Sequence, residues 1–326
     1  MVQAWMAAAG VTLGMAGFGE LYGRVRGFSP SVADDWWVWA RLRRLANSGR
    51  RVIALVGASR LQLGVEPVTL ARLTGLRTVM LAIDGASPLP VLRDLAQDRN
   101  FRGSVICSYV PQLFAETAPP DTRALKWIRK YRQQNRVSRL VAYLWTGVQA
   151  EVGLCQPALK PIRIWEHLKG GRRLKRPHAP MRRDRYRGAN YERIDLTRLR
   201  RARLEIEHRR SLQARPLARD AYQQRVARIA GWLRKIQERG GRVAWVRLPS
   251  SGEIRFLEQA TWPREIYWQS LVAGCRVPAV HFEDDPDLSN LKCPDDSHLA
   301  ASDARHFTAK LVDILGKEGF FVPSHV

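Results

Sequence analysis

Five short apolar runs punctuate the chain: Val52–Val56, Thr78–Ile83, Ser104–Tyr109, Arg242–Leu248 and Ala279–Phe282. Each is rich in β-branched or aromatic residues. Continuous runs of this length read as strands buried on both faces. Apolar residues three and four apart separate several of them. Tyr222, Val226, Ile229, Leu233 and Ile236 share one helical face, and Ala304, Phe307, Leu311 and Ile314 share another. Gly316 and Pro323 close the second helix. Buried strands alternating with helices predict an α/β fold, with about five parallel strands covered on both faces.

Between the third and fourth runs this rhythm breaks. Residues 119–241 read as a basic helical insertion with loops rich in proline and glycine. Thr122–Leu144 is helix-like, Gly170–Asn190 reads as loop, and Asp195–Arg239 returns to helical patterning, divided at Pro216. The chain therefore divides into an apolar amino-terminal segment (1–22), the first part of the α/β domain (23–118), the insertion (119–241) and the rest of the domain (242–326).

The first segment changes the picture. Val2 to Gly19 carries no charge, and its length is near the lower limit for a membrane span. It predicts an anchor or a signal-like segment, so the protein is expected to be membrane-associated through it. Arg24, Arg26, Arg41, Arg43 and Arg44 follow, and the positive-inside tendency would hold the downstream domain on the cytoplasmic side. Trp36, Trp37 and Trp39 are read as packing on the core.

Charge adds a second constraint. The 326 residues include 54 Lys+Arg against 30 Asp+Glu, a formal +24. Between Arg172 and Arg219 stand 17 Lys/Arg and five Asp/Glu, a net +12, which is half of the whole excess. Such a field attracts polyanions. Aromatic residues are sparse there, and no zinc-finger, basic-zipper or RNA-recognition motif occurs, which points away from nucleic acid. An anionic membrane surface or an acidic glycan is the expected partner; a solvated, uncommitted insertion is the competing reading.

Cys107, Cys155, Cys275 and Cys293 show no metal-ligand spacing. Cys275 and Cys293 would pair only in an oxidising compartment. No metal and no cofactor is expected.

The candidate chemistry lies in two short motifs. Gly57-Ala58-Ser59-Arg60 leaves the first strand, and Asp295-Asp296-Ser297-His298 precedes the last helix. A serine hydroxyl needs a base to take its proton, and a strand-to-helix turn exposes it beside backbone N–H groups. Asp295, three residues before His298, is placed to accept one imidazole N–H and aim the other nitrogen at Ser59. Arg264, in the loop after the fourth strand, is either an acceptor-binding residue or an ordinary paired arginine.

With these motifs the chain resembles the SGNH (GDSL-like) hydrolase superfamily over about Val52–Phe114 and Gly241–Leu315. Val56-Gly57-Ala58-Ser59-Arg60 looks like the Gly-Ser-Ser-Arg variant of bacterial envelope-associated members. The resemblance implies a flavodoxin-like three-layer α/β/α sandwich. It implies Ser59 as nucleophile, His298 as base and Asp295 as its orienting carboxylate. It also implies an oxyanion hole from the Ser59 and Gly85 N–H groups, with Arg60 near the substrate. Two departures stand out. Ala58 replaces the family's usual aspartate before the serine. The third block, Gly-x-Asn-Asp, is absent; the chain reads Ser108-Tyr109-Val110-Pro111-Gln112, so the family's asparagine donor has no clear match. The implied activity is a serine esterase or O-acyltransferase on acyl or acetyl esters, with a carbohydrate as the candidate acceptor. The alternative is a catalytically degenerate module binding an envelope polyanion or glycan.

Overall fold

The computed structural model describes residues 1–116, 123–156, 159, 165–166, 169–170 and 177–321. Five strands, β1 (Val52–Val56), β2 (Arg77–Met80), β3 (Ser104–Ser108), β4 (Val243–Arg247) and β5 (Ala279–His281), form one sheet in the order β2-β1-β3-β4-β5. Every pairing is parallel. β1, β3 and β4 are buried almost throughout, as their unbroken apolar runs require. The α/β class and the sheet are as predicted. β2 and β5 are shorter than their apolar runs, although beyond β2 the Leu81 and Ile83 N–H groups still donate to the Leu55 and Gly57 carbonyls at 2.8 and 2.9 Å.

Helices cover both faces. Leu89–Gln97, Arg219–Gln237 and Arg264–Cys275 pack with one another on one side, and Ser59–Gly64, Pro67–Thr74 and Ala301–Lys317 on the other. Arg219–Gln237 buries the predicted stripe Tyr222, Val226, Ile229, Leu233 and Ile236, so the end of the insertion serves the sandwich itself. Ala301–Lys317 buries Ala304, Phe307, Thr308, Leu311 and Leu315. Trp36–Leu45 packs against β2, and Arg123–Gln133 and Arg136–Glu151 pack on that helix. Trp39 is fully buried and donates its indole N–H to the Leu81 carbonyl at 3.0 Å.

The basic segment is built into the fold where it is described. Arg185 is wholly buried. Its guanidinium donates to the Met80 and Ala82 carbonyls at 3.1 and 2.7 Å and pairs with Asp34 at 2.5 Å. Arg187 pairs with Asp84, and Arg182 with Glu66 and Asp184. These arginines satisfy carbonyls and carboxylates at the sheet's edge, so the reading of a solvated insertion fails for them. Residues 157–158 and 171–176, among others of the segment, lie outside the described residues.

The predicted membrane span is corrected. Val2–Val25 is one helix of 24 residues, but among the described residues no helix is long and apolar enough to cross a membrane. Length is sufficient; alanine and glycine contribute too little transfer free energy. The helix is exposed over most of its length and is held near its end, where Glu20 accepts the Gly153 and Leu154 N–H groups at 2.8 and 2.9 Å. The four cysteines are free, so Cys275 and Cys293 do not pair.

Candidate active site

The site sits at the carboxyl edge of the sheet, where the chain leaves β1 for one face and β3 for the other. Open parallel sheets form their crevice at such a switch point. β1 ends at Val56, and Ser59 opens the short helix Ser59–Gly64. Gly57 makes this turn possible: a Cβ there would lie 2.9 Å from the Ser108 Cβ and 2.8 Å from a Leu61 methyl. Ser59 is held against the sheet but remains partly open to solvent. As first residue of a helix, its N–H has no intrahelical acceptor.

The opposite wall comes from the turn before Ala301–Lys317. Asp295 is fully buried. Its Oδ1 accepts the N–H groups of Ser297 and His298 at 3.1 and 2.7 Å, closing a tight turn that fixes the carboxylate. Asp296 adopts φ 62°, and its carbonyl accepts the Ser251 N–H at 2.9 Å, which ties the turn to the loop after β4. His298 Nδ1 is 3.0 Å from Asp295 Oδ2, and His298 Nε2 is 2.9 Å from Ser59 Oγ. With Asp295 ionised, Nδ1 carries the proton donated to Oδ2, and Nε2 is left to accept from the serine hydroxyl.

The electrostatics keep these states apart. Burial opposes ionisation of Asp295, but its hydrogen bond from His298 and the charge of Arg203 hold it well below the usual carboxylate range. Burial pushes the His298 pKa down from 6.5, against the raising effect of Asp295; Arg203 and Arg60 lower it further. The imidazole is therefore neutral and able to take a proton near neutral pH.

Arg203 is the residue that the sequence did not reveal. It lies on helix Leu196–Leu212, in the basic segment, and its Nε donates to Asp295 Oδ2 at 2.6 Å. One turn earlier, Arg200 donates to the Pro294 carbonyl at 2.7 Å. The i, i+3 spacing puts both on one helix face. That spacing was visible in the sequence, but nothing there named the turn as its target. The helix buries no residue fully, so such polar contacts, with Ser211 against Thr261 at 2.8 Å, hold it over the site.

A cleft of about 410 Å³ opens beside the serine. Its walls include Ser59, His298, Gly85, Gln112, Arg203 and Arg210. Gly85 adopts φ 66° after β2 and is exposed. Ser59, Gly85, Asp295 and His298 are thus gathered in one place. Gln112, just after β3, lines the same cleft, and its buried Oε1 has no hydrogen-bond partner.

The two arginines expected near substrate are otherwise engaged. Arg60 is buried, with Nη2 2.7 Å from Glu258 Oε1 and Nε donating to Ser297 Oγ at 3.3 Å. Glu258 also accepts from Arg247 at 2.6 Å and Ser250 at 2.9 Å. Although burial opposes it, the two arginines lower the Glu258 pKa to about 2. Arg60 lines the cleft, while its guanidinium is held in a buried ion cluster that braces the Ser297 side of the turn. Arg264 opens helix Arg264–Cys275 rather than lying in a loop, pairs with Glu283 and Asp284, and lines a separate small cavity of about 30 Å³. It does not reach the cleft. Among the described residues no group of His, Cys, Asp and Glu could hold a metal ion.

The chain matches no family model and no curated protein.

Proposed function

We propose that the protein is an SGNH-like serine esterase or O-acyltransferase. The observation that carries this reading is the continuous relay Asp295–His298–Ser59, with contacts of 3.0 and 2.9 Å, opening on a cleft of about 410 Å³. Ser59 Oγ attacks the ester carbonyl while His298 Nε2 takes its proton. Asp295 stabilises the imidazolium that results. The N–H groups of Ser59 and Gly85 donate to the developing oxyanion, and the side-chain amide of Gln112, on the same cleft, adds a third donor. Collapse releases the alcohol, protonated by His298, and leaves an acyl-serine. Water or a second hydroxyl then resolves it by the reverse sequence.

Substrate class follows from the walls. Arg203, Arg210, Glu207, Glu116 and Gln213 give the cleft polar walls, and Ile206, Leu113 and Val110 give it a limited apolar one. This suits a short acyl group on a hydroxyl-rich acceptor better than a long fatty chain. A fluorophosphonate probe tests the reading. Wild type should label covalently and Ser59→Ala should not. Labelling that persists in Ser59→Ala would refute the nucleophile, and an unlabelled wild type would favour a non-catalytic module.

A further inference from the structure

Helix Arg136–Glu151 is sided the wrong way round for a helix of a self-contained protein. Its buried positions are Ala142, Thr146 and Gln149. Its large apolar residues Val137, Leu140, Val141, Leu144 and Val148 are 43–71% exposed. Those five fall at i, i+3, i+4, i+7 and i+11, a single stripe about 16 Å long at helical rise, facing outward. Tyr143 and Trp145 flank it and are also exposed. A continuous exposed stripe of this size marks an interaction surface.

Charge decides what covers it. Between Arg123 and Ala150 the chain has seven cations and no acid. Arg136 and Arg139 are exposed at the start of the helix. At its far end, Arg24 donates to the Glu151 carbonyl at 2.7 Å, and an Arg183 Nη lies against Gly147. More than half of each of these two side chains is exposed. Arg136 and Arg139 thus make the start of the stripe cationic, while at its far end Arg24 pairs with Glu20 at 2.7 Å and Arg183 lies 3.9 Å from Glu151. In an antiparallel pair of copies, Arg136 and Arg139 of one would face Arg24 and Arg183 of the other; in a parallel pair like meets like. The parallel pair repels, and the antiparallel pair meets an end whose charge Glu20 and Glu151 already offset, so neither arrangement answers the cations at the start of the stripe. A sheet of anionic headgroups over an apolar interior complements the stripe and its cationic start together.

The amino-terminal helix meets the chain just past the stripe. Leu154, just past the stripe, packs where a Cβ on Gly19 would touch it at 3.5 Å. Trp5, Leu13, Met15, Phe18 and Leu21 are exposed nearby along Val2–Val25.

We propose that Arg136–Glu151 lies in the plane of an anionic bilayer, its outward stripe among the acyl chains and its terminal arginines at the headgroups, beside the exposed amino-terminal helix. The surface holds the protein on the membrane without spanning it. This is independent of the esterase reading.

The test uses full-length protein floated with vesicles of phosphatidylcholine, with or without phosphatidylglycerol. Wild type should float with the anionic vesicles and progressively less as salt rises. Leu140→Asp/Leu144→Asp should reduce that partition about tenfold or more, since two buried leucines are lost from the interface. Arg136→Glu/Arg139→Glu should reduce binding to anionic vesicles while leaving the weak binding to neutral ones. Both variants change exposed residues, so circular dichroism and the thermal midpoint should match wild type. A Leu140→Asp/Leu144→Asp protein that is folded and floats as wild type overturns the proposal. So does a wild type that ignores vesicles but forms a dimer that this variant dissociates.

Discussion

Helices Ala301–Lys317 and Arg136–Glu151 have nearly equal lengths, 17 and 16 residues, and both are sided. The first turns Phe307, Leu311 and Leu315 inward. The second turns Ala142, Thr146 and Gln149 inward and leaves its leucines and valines outside. The difference is one of closure. Ala301–Lys317 and the Asp295–His298 turn before it complete the molecule's own core and the Asp295–His298–Ser59 relay. Arg136–Glu151 is answered on its outer face by nothing among the described residues. Sidedness in a sequence announces that an apolar stripe will be covered, not what covers it.

The largest expected effect lies wholly in the closed region. Ser59→Ala should lower ester turnover by roughly 10⁴–10⁶-fold, as removal of a serine nucleophile does elsewhere. It should leave both the thermal midpoint and vesicle flotation unchanged. Rates on a chromogenic acetyl ester, read beside flotation, check the independence of the two regions; coupled losses would break the comparison.

Next is the buried cluster. Glu258→Gln leaves Arg60 and Arg247 buried with their charges uncompensated, and breaking such a pair costs about 3–5 kcal/mol. Urea titration of both proteins measures it. Acid should narrow the gap. The folded Glu258 pKa is depressed from 4.5 to about 2. Its stabilisation is therefore complete above pH 4.5 and is lost as pH falls toward 2. A gap that widened on acidification would contradict the ion cluster.

The comparison is sharpest with one truncation on each helix. Leu311→Ala removes a fully buried side chain and should destabilise by about 2–5 kcal/mol. Leu144→Ala removes an exposed one and should stay within about 0.5 kcal/mol in detergent-free solution. Comparable losses in the two would mean that the stripe is covered by the chain itself.

The smallest effect concerns Arg203. Its charge lowers the His298 pKa and holds Asp295 ionised. Because neutral His298 is the active form, activity rises as pH passes upward through its pKa. Arg203→Gln removes a lowering influence, so the acidic limb of the pH–rate profile should move to higher pH, with the plateau rate changed less. A purely structural loss would lower the rate at every pH and leave the limb in place.

Much of this was present in the residues. The runs from Val52, Ser104 and Arg242 are continuous because strands buried on both faces cannot alternate, and the observed strands agree to within a residue or so at each end. Ser59, Asp295 and His298 declared themselves by type and local context, since a strand exit and an Asp-x-x-His turn are local geometries. Arg60 and Arg264 looked alike as candidate ligands; only packing shows their charges consumed by Glu258 and by Glu283 with Asp284.

By itself, then, the order of residues determined the class of fold, the strand positions and the two halves of a relay, because periodicity and short turns are properties of contiguous chain. Tertiary structure alone decided that the halves meet, that Arg203 reaches Asp295 from a helix 92 residues away in sequence, and that the stripe on Arg136–Glu151 faces out. Those outcomes depend on which surfaces are left after the sheet is covered. No local pattern carries that information, since burial is a property of the whole packed molecule.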